Sequence, residues 1–308
     1  MTNEHPVPTE DEIRGYFERC SNWGRWGPDD NAGTVNLITP EVRRKAASLV
    51  STGRAISLSR RWNTVGGPGN SNPAQHFLRK TDAVSIDYLG IIYHGHSTTH
   101  IDALCHIFWE GKGWNGRPSD EVTSIGARFG SVDAWSSGIA TRGVLLDIPR
   151  LREVDFVDLN KPVRGWELEA AAKAEGVSLE PGDAVLVYSG REKFFESHPD
   201  SVPGTAPTAG LHADVCPVLK DRDAALLGWD QLDARPSGYE MFENPPFPGG
   251  PVHVFAIVYM GLPLLDNSLL QPLAESCAEE SRWEFMLTIN PLNVRGATGS
   301  PVNPIALF

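Results

Sequence analysis

Apolar runs and amphipathic segments alternate through the middle of this chain. Trp166–Glu175 has the composition of a helix that Gly176 ends, and Leu211–Lys220 is a weaker helix prediction. The alternation predicts an α/β fold with a mixed central sheet. Five short, mostly apolar runs predict the strands: Gly143–Ile148, Ala184–Tyr188, Ala224–Trp229, Val252–Tyr259 and Trp283–Ile289.

The N-terminal part of the chain is more polar. After a polar tail, Glu10–Ser21 predicts a surface helix. A second helix is expected at Pro40–Ser51, because Thr39 can cap it and proline suits its first position. The segment between them, Asn22–Glu41, is dense in Gly, Asp and Asn and predicts a structured loop. A short strand is expected at Ala55–Leu58.

The next segment, Asn63–Gln75, is rich in Gly, Pro and Asn. A loop of this length is typical of a lid or a binding loop. No break in composition divides the chain. We therefore expect one domain over residues 1–308, with an N-terminal helical and loop extension of about 1–54.

Composition and charge exclude several classes of function. The 308 residues are 41% hydrophobic and carry a formal net charge of −12, as in a globular protein with a sizeable core. This acidic balance argues against nucleic acid or an anionic membrane as the main partner. The longest apolar run, Val254–Leu265, contains Gly261 and Pro263 and is too short to cross a bilayer.

The cysteines and the first residues bear on the compartment. The four cysteines are scattered without a Cys-x-x-Cys pair, which argues against a structural zinc knot and a disulfide framework. The polar, acidic beginning of the chain lacks the basic and apolar regions of a signal peptide. We therefore expect a reducing compartment and a cytoplasmic protein.

A dense group of potential metal ligands lies between His94 and His106. Four of the nine histidines and Asp102 fall within these thirteen residues. Zinc and manganese favour imidazole nitrogen together with carboxylate oxygen. Two histidines and one carboxylate leave coordination positions for water and substrate, as a catalytic site requires. The group therefore predicts a metal site, in which His94 is the member best suited to a structural role.

No regular element presents His96, His100 and Asp102 to a single ion. On a helix the two histidines share a face, and Asp102 points elsewhere. On a flat strand all three share a face, but six residues span roughly 20 Å, whereas each ligand must lie about 2 Å from the ion. The segment must therefore curl, as a loop or a single helical turn after a strand that ends near Tyr93.

A second contribution to the site is weaker in the sequence. His253 begins an apolar run and Asp266 follows it. Buried polar groups in such a context need partners, and a metal is one. A histidine at a strand end, with Asp266 capping a short helix that starts near Ser268, explains the same pattern. From the residues alone this second interpretation is favoured.

The histidine segment matches a known signature. His96-Ser-Thr-Thr-His100-Ile-Asp102-Ala-Leu-Cys-His106 resembles the H-x-G-T-H-x-D-x-x-x-H motif of the cyclase-like metal-dependent hydrolases, which include bacterial kynurenine formamidase and isatin hydrolase. The resemblance covers most of the chain. Further segments resemble the longer cyclase branch of this family, in the same order: Trp26–Gly33, Ala209–Asp214, His253–Asn267 and Gly299–Ala306.

The resemblance implies a swivelling β/β/α fold with a mixed central sheet and a metal centre. It implies that His96, His100 and Asp102 bind a first ion. Asp102 would bridge to a second ion, which His253 and Asp266 would complete. Asp266 stands where the family usually has a longer Glu, so one or two zinc or manganese ions are expected. A second departure is Thr98, which replaces the usual glycine of the motif.

The resemblance also implies the activity. His106 would be the catalytic acid/base of a hydrolase that uses a metal-activated water to cleave an amide, lactam or related acyl bond. Related enzymes are commonly oligomers, so a homodimer or homotetramer is expected. Arg191 suits a substrate carboxylate, or equally a solvated surface. The candidates for binding a small cyclic or aromatic substrate are Trp26, Trp62, Phe77 and His212.

Three alternatives remain open at this point. A cysteine-nucleophile hydrolase would pair Cys105 with His106, or Cys216 with His212. A non-catalytic metal-binding protein would need a closed ligand shell. A lyase or ring-closing cyclase could use the same metal site. A nucleotide enzyme is not expected, because Gly66–Gly69 lacks the Lys and Ser/Thr of a phosphate-binding loop.

Overall fold

The structure is a computed structural model that describes residues 5–240, 242 and 250–308. The α-helices among these residues are α1 (Glu10–Arg19), α2 (Pro40–Ala47), α3 (Ile148–Arg152), α4 (Gly165–Ala174), α5 (Arg191–Ser197), α6 (Val215–Asp221), α7 (Pro251–His253) and α8 (Gln271–Glu280). A π-helical turn, Val254–Met260, continues α7. Short 3-10 helices lie at Gly33–Leu37, Trp114–Gly116, Ser119–Glu121 and Val132–Trp135.

The strands form one large sheet and two hairpins. The nine-stranded sheet has the order β1-β13-β11-β7-β8-β9-β10-β4-β12, and the hairpins pair β2 with β3 and β5 with β6. The strands are β1 (Ala55–Ser57), β2 (Gln75–Lys80), β3 (Ser85–Gly90), β4 (His100–Asp102), β5 (Val122–Thr123), β6 (Gly126–Ala127), β7 (Ile139–Asp147), β8 (Ala184–Tyr188), β9 (Leu226–Trp229), β10 (Leu264–Asp266), β11 (Glu284–Ile289), β12 (Gly299–Pro301) and β13 (Ile305–Leu307).

The centre of the large sheet is parallel and its flanks are antiparallel. Strands β7, β8, β9 and β10 run parallel to their neighbours in that order. The pairs on either side, β11 with β7 and β10 with β4, are antiparallel. The predicted α/β class with a mixed central sheet is therefore confirmed.

Two hydrophobic cores cover the two faces of this sheet. Every residue of β8 is buried, as expected for a parallel strand covered on both sides. Val185 and Val187 face the core that also contains Leu168 of α4, whereas Leu186 packs in the core that contains Phe285. This alternation follows from the two-residue period of a strand.

The first two helices begin where their capping residues predict. The Thr9 side chain accepts a hydrogen bond from the Glu12 backbone N–H, and the Glu12 carboxylate accepts one from the Thr9 backbone N–H, which starts α1. Thr39 accepts from the backbone N–H of Val42, and Pro40 occupies the first turn of α2. None of the described helices is long and apolar enough to cross a membrane.

The prediction of a strand at Val252–Tyr259 is wrong. These residues form α7 and the π-helical turn, which ends at Gly261 with a φ of 64°. A continuous apolar run has no period that distinguishes a buried strand from a buried helix, and Pro251 favours a helix start.

Two further segments differ from the predictions. The hairpin β2–β3 follows the predicted loop and ends at Gly90, so no strand reaches Tyr93. Its β2 side chains are exposed on both faces, which removes the alternation that would reveal a strand. The weaker helix prediction is confirmed only from Val215 onward.

Candidate metal centre

The core of the candidate site is formed by neighbouring strands. His100 and Asp102 are two residues apart on β4, so their side chains share one face of the sheet. Asp266 lies opposite His100 on the adjacent antiparallel strand β10. His100 Nε2 is 3.3 Å from Asp102 Oδ1 and 4.0 Å from Asp266 Oδ2. Pairing of β4 with β10 thus creates a cluster of three buried ligands.

Asp102 is a buried carboxylate surrounded by imidazole nitrogens. Neither of its oxygens is accessible, and neither accepts a well-aligned hydrogen bond from any described residue. The nearest ring nitrogens are His94 Nδ1 at 2.9 Å and His100 Nε2 at 3.3 Å, followed by His253 Nε2 at 3.8 Å and His106 Nε2 at 3.9 Å. A buried carboxylate surrounded by imidazole nitrogens is a donor set that suits a cation.

The donor atoms fit a divalent metal. Two sets of residues each bring their ligand atoms within 4.8 Å of one another, and Asp102 belongs to both. Ligands bound about 2 Å from one ion lie roughly 3 to 4 Å apart, somewhat closer than this limit. The sets are His94, Asp102 and His106, and His100, Asp102 and Asp266. Imidazole together with carboxylate suits zinc or manganese, and the shared Asp102 allows one ion or two.

Two residues that the sequence analysis missed orient this centre. Asp233 Oδ2 lies 2.5 Å from His253 Nδ1, which leaves His253 Nε2 facing Asp266 Oδ2 at 3.2 Å. Trp229 donates from Nε1 to the other oxygen of Asp266 at 2.5 Å. Burial opposes protonation of His253, but the charges of Asp233 and Asp266 outweigh it and raise the pKa of His253 well above its usual value. A carboxylate behind a histidine is the arrangement that fixes ring orientation in metal sites.

His106 faces the same centre as a neutral imidazole. Burial lowers the pKa of His106 to about 4, although the charge of Asp102 opposes the shift. Its ring stacks on the ring of His94, with centroids 3.7 Å apart. His94 therefore lies inside the cluster rather than at its edge. At neutral pH the His106 ring is therefore unprotonated.

His96 lines the cavity but belongs to neither ligand set. Its backbone oxygen accepts a hydrogen bond from Arg191 at 2.7 Å. Burial and the charge of Arg191 lower the pKa of His96 to about 4. Gly204 packs against its ring so closely that a Cβ there would lie 2.1 Å from His96 Cδ2. The structure thus brings three of the five predicted metal ligands, His100, Asp102 and Asp266, into one set. His253 Nε2 lies 3.2 Å from Asp266, and His96 lies at the cavity wall.

A cavity of about 340 Å³ lies in front of these residues. Ile107, Phe194 and Phe195 form an apolar part of its lining, and residues 201–205 and 207–209 border it. The volume and the mixed lining are typical of a site for a small molecule.

The four candidate substrate-binding residues, all in the described part of the chain, do not line this cavity. Trp26 packs near Trp114 with 6.3 Å between ring centroids, and Trp62 is half-buried elsewhere. Phe77 is 62% exposed on the β2–β3 hairpin. His212 is buried, with Nδ1 3.0 Å from Asp214 Oδ1, so it serves the packing beside α6.

The cysteines are poorly placed for nucleophilic chemistry. All four are free and buried. Burial raises the pKa of the Cys105 thiol to about 12 and that of Cys216 well above its usual value. A thiol with so little thiolate is a weak nucleophile, which argues against the cysteine-hydrolase alternative.

Comparison with known families identifies the class of protein. Residues 70–234 match the Cyclase family, described as "Putative cyclase". This match spans just over half of the 308 residues, and the chain belongs to this family. The resemblance seen in the histidine motif is confirmed.

Solved structures share the fold over nearly the whole chain. A crystal structure described as a novel cyclase is 27% identical, covers 94% of this chain and 100% of its own, and has a TM-score of 0.79. Isatin hydrolase A from Labrenzia aggregata, bound to benzyl benzoate, is 16% identical, with coverages of 85% and 94% and a TM-score of 0.56. Isatin hydrolase A from Ralstonia solanacearum is also 16% identical, with coverages of 82% and 91% and a TM-score of 0.54. A search of curated proteins found no match.

Proposed function

We propose that this protein is a metal-dependent hydrolase that cleaves an amide, lactam or related acyl bond of a small cyclic or aromatic substrate. The observation that carries the proposal is the buried carboxylate of Asp102, which two sets of potential metal ligands share beside a cavity. Isatin hydrolases share this fold, and their activity supports hydrolysis of an amide or lactam bond.

The residues of the cavity suit acyl hydrolysis. Zinc or manganese, when bound, would supply a Lewis acid for the substrate carbonyl and lower the pKa of a water. His106 Nε2 faces the centre, and burial keeps its imidazole neutral, so it accepts the proton of the attacking water. The same nitrogen then donates that proton to the leaving nitrogen or oxygen. The product is a carboxylate.

The surrounding residues hold this arrangement in place. Asp233 fixes the ring of His253, and Arg191 anchors the backbone of His96. Arg191 is itself held by Asp230, whose oxygens accept the backbone N–H groups of Ser189 and Arg191. Because these supports are buried, they keep the side chains of the centre in one geometry.

The test is hydrolysis by protein of defined metal content. Chelator-treated protein is reconstituted with zinc or manganese and assayed against isatin and aryl formamides for release of the carboxylate product. We expect turnover that requires the metal and survives thiol alkylation. Hydrolysis that persists without metal, or a product of elimination rather than a carboxylate, would contradict the proposal.

We further propose that the chain assembles as a homodimer or homotetramer in the cytoplasm. The β2–β3 hairpin exposes large apolar side chains on both faces, and an isolated two-stranded hairpin is marginally stable. Burial by a second copy of the chain explains these exposed residues. Four free, buried cysteines fit a reducing compartment. The exposed residues of the hairpin are Phe77, Leu78, Val84, Ile86, Tyr88 and Leu89.

A further inference from the structure

One arginine of the cavity is already engaged by the protein. Arg191 is buried, and its Nη1 donates to the backbone oxygen of Asp230 at 3.0 Å and to Asn267 Oδ1 at 3.2 Å. Its Nη2 donates to the backbone oxygen of His96. A substrate carboxylate would have to displace these bonds. Arg191, a candidate for that role from the sequence, is therefore a support for the site.

A second arginine of the cavity has free donors. Arg235 lines the same space, and its Nε is inaccessible and without a hydrogen-bond partner among the described residues. Its Nη2 makes one long contact, 3.4 Å, to the backbone oxygen of Gly204. Asp233 does not pair with Arg235, because both oxygens of its carboxylate are engaged elsewhere. Oδ1 accepts the backbone N–H of Val252, and Oδ2 faces His253 Nδ1. No described residue forms an ion pair with Arg235, so its guanidinium can bind an anion in the cavity.

Gln231 adds another free donor to the same wall. The residue is only 5% exposed, and its Nε2 is inaccessible with no partner in the described part of the chain. The backbone N–H of Gln231 donates to Asp230 Oδ1 at 2.9 Å, which fixes its position directly after β9. Buried donors without partners are rare in folded proteins, and two that line one cavity indicate a ligand with acceptor oxygens.

We propose that Arg235 and Gln231 form a subsite that binds a carboxylate of the substrate, distinct from the acyl group that is cleaved. The planar guanidinium fork matches a carboxylate, and the Gln amide supplies a further N–H. The apolar lining from Ile107 and Phe195 suits the ring that carries this group. This inference rests on the proposed function. It narrows the class of substrate to cyclic or aromatic acyl compounds that bear a carboxylate.

Binding of benzoate and its neutral analogue benzamide tests the subsite. Isothermal titration on chelator-treated protein removes any binding of carboxylate to a metal. We expect the wild type to bind benzoate more tightly than benzamide. Arg235→Met should bind benzoate at least about 10-fold more weakly than the wild type, and Gln231→Met about 3-fold more weakly. Benzamide binding should not change in Arg235→Met. Arg43→Met, which removes an exposed arginine of α2, is the matched control and should behave as wild type.

The outcomes separate this inference from the proposed function. The subsite would be overturned if the wild type and a folded Arg235→Met variant bound benzoate equally well. It would also be overturned if the wild type did not prefer benzoate to benzamide. The subsite would also be overturned if hydrolysis required the metal but Arg235→Met had the wild-type KM for a carboxylate-bearing substrate. In that case the hydrolase proposal would stand. Charge-dependent binding without any hydrolysis would support the subsite and reject the hydrolase. Partial recovery of benzoate binding in Arg235→Lys would support the role of the charge.

Discussion

Replacing Asp233 with Asn removes the charge behind His253 while nearly preserving the size of the side chain. In the wild type, Asp233 Oδ2 lies 2.5 Å from His253 Nδ1, and Oδ1 accepts the backbone N–H of Val252 at 2.6 Å. The Asn amide can still accept from Val252 through its oxygen. It then turns its NH₂ toward the His253 ring, so the hydrogen bond that orients the ring is lost.

The expected effect is a loss of metal affinity. Removing the partner of a metal-bound histidine typically weakens metal binding by about 10- to 100-fold, or about 1.4 to 2.7 kcal/mol. The assay is a zinc titration at pH 7.5 in competition with a chromophoric chelator. Asp214→Asn is the matched control, because it removes the carboxylate from another buried His–Asp pair, His212 with Asp214, outside the cavity.

We expect Asp214→Asn to bind zinc as the wild type does, even if its Tm falls. Wild-type zinc affinity in folded Asp233→Asn would refute the reasoning that Asp233 orients a metal-binding histidine. An equal loss in both variants would also refute it, because the effect would then reflect general destabilisation.

Three further predictions concern catalysis, pH and assembly. His106→Ala should retain its metal by elemental analysis while kcat falls by about 10²- to 10⁴-fold; loss of the metal as well would make His106 a ligand. Burial raises the pKa of Glu175 to about 8, so its ionisation should destabilise the folded protein increasingly as pH rises from about 4.5 to about 8. In urea unfolding at pH 9, Glu175→Gln should therefore have a free energy of unfolding about 1–2 kcal/mol higher than the wild type, and the difference should be much smaller at pH 5. Equal differences at both pH values would contradict this cause. Leu78→Glu on the exposed hairpin should shift the protein toward monomer in light scattering, whereas an unchanged mass would argue against the hairpin as the contact.

The fold was largely predictable because its central strands are continuous apolar runs. Ala184–Tyr188 coincides with β8, and the run after Trp283 coincides with β11. Periodicity was uninformative in two kinds of segment. In the π-helical turn after His253 all residues but one are buried, and in β2 the residues are exposed on both faces. Such segments take their structure from their neighbours rather than from local pattern.

From spacing alone, the site was predictable only where its residues are close in sequence, and His253 and Asp266 came from the family resemblance. His100 and Asp102 are two residues apart, so their spacing reveals them, although they lie on a short strand and not on the predicted loop or helical turn. Asp233 and Trp229 act through contacts with residues 20 and 37 positions later, and no local pattern reports such pairings. Their position around the end of the buried strand β9 is the signal that could have indicated them, since polar residues at strand ends often line sites.

For the aromatic residues, the sequence predicted substrate contacts that the structure does not place at the cavity. Composition near the motif favoured Trp26 and Phe77 as substrate contacts, but packing directs the first toward Trp114 and the second to the surface. Aromatic side chains serve cores more often than ligands, and only the three-dimensional arrangement separates the two uses.

The most direct test of the metal centre is the metal content per chain, measured by elemental analysis on protein purified without a histidine tag and repeated on His100→Ala. We predict one or two equivalents of zinc or manganese in the wild type and a marked loss in the variant. Wild-type protein that holds no metal, even after reconstitution with both ions, would contradict the account, as would an unchanged metal content in His100→Ala.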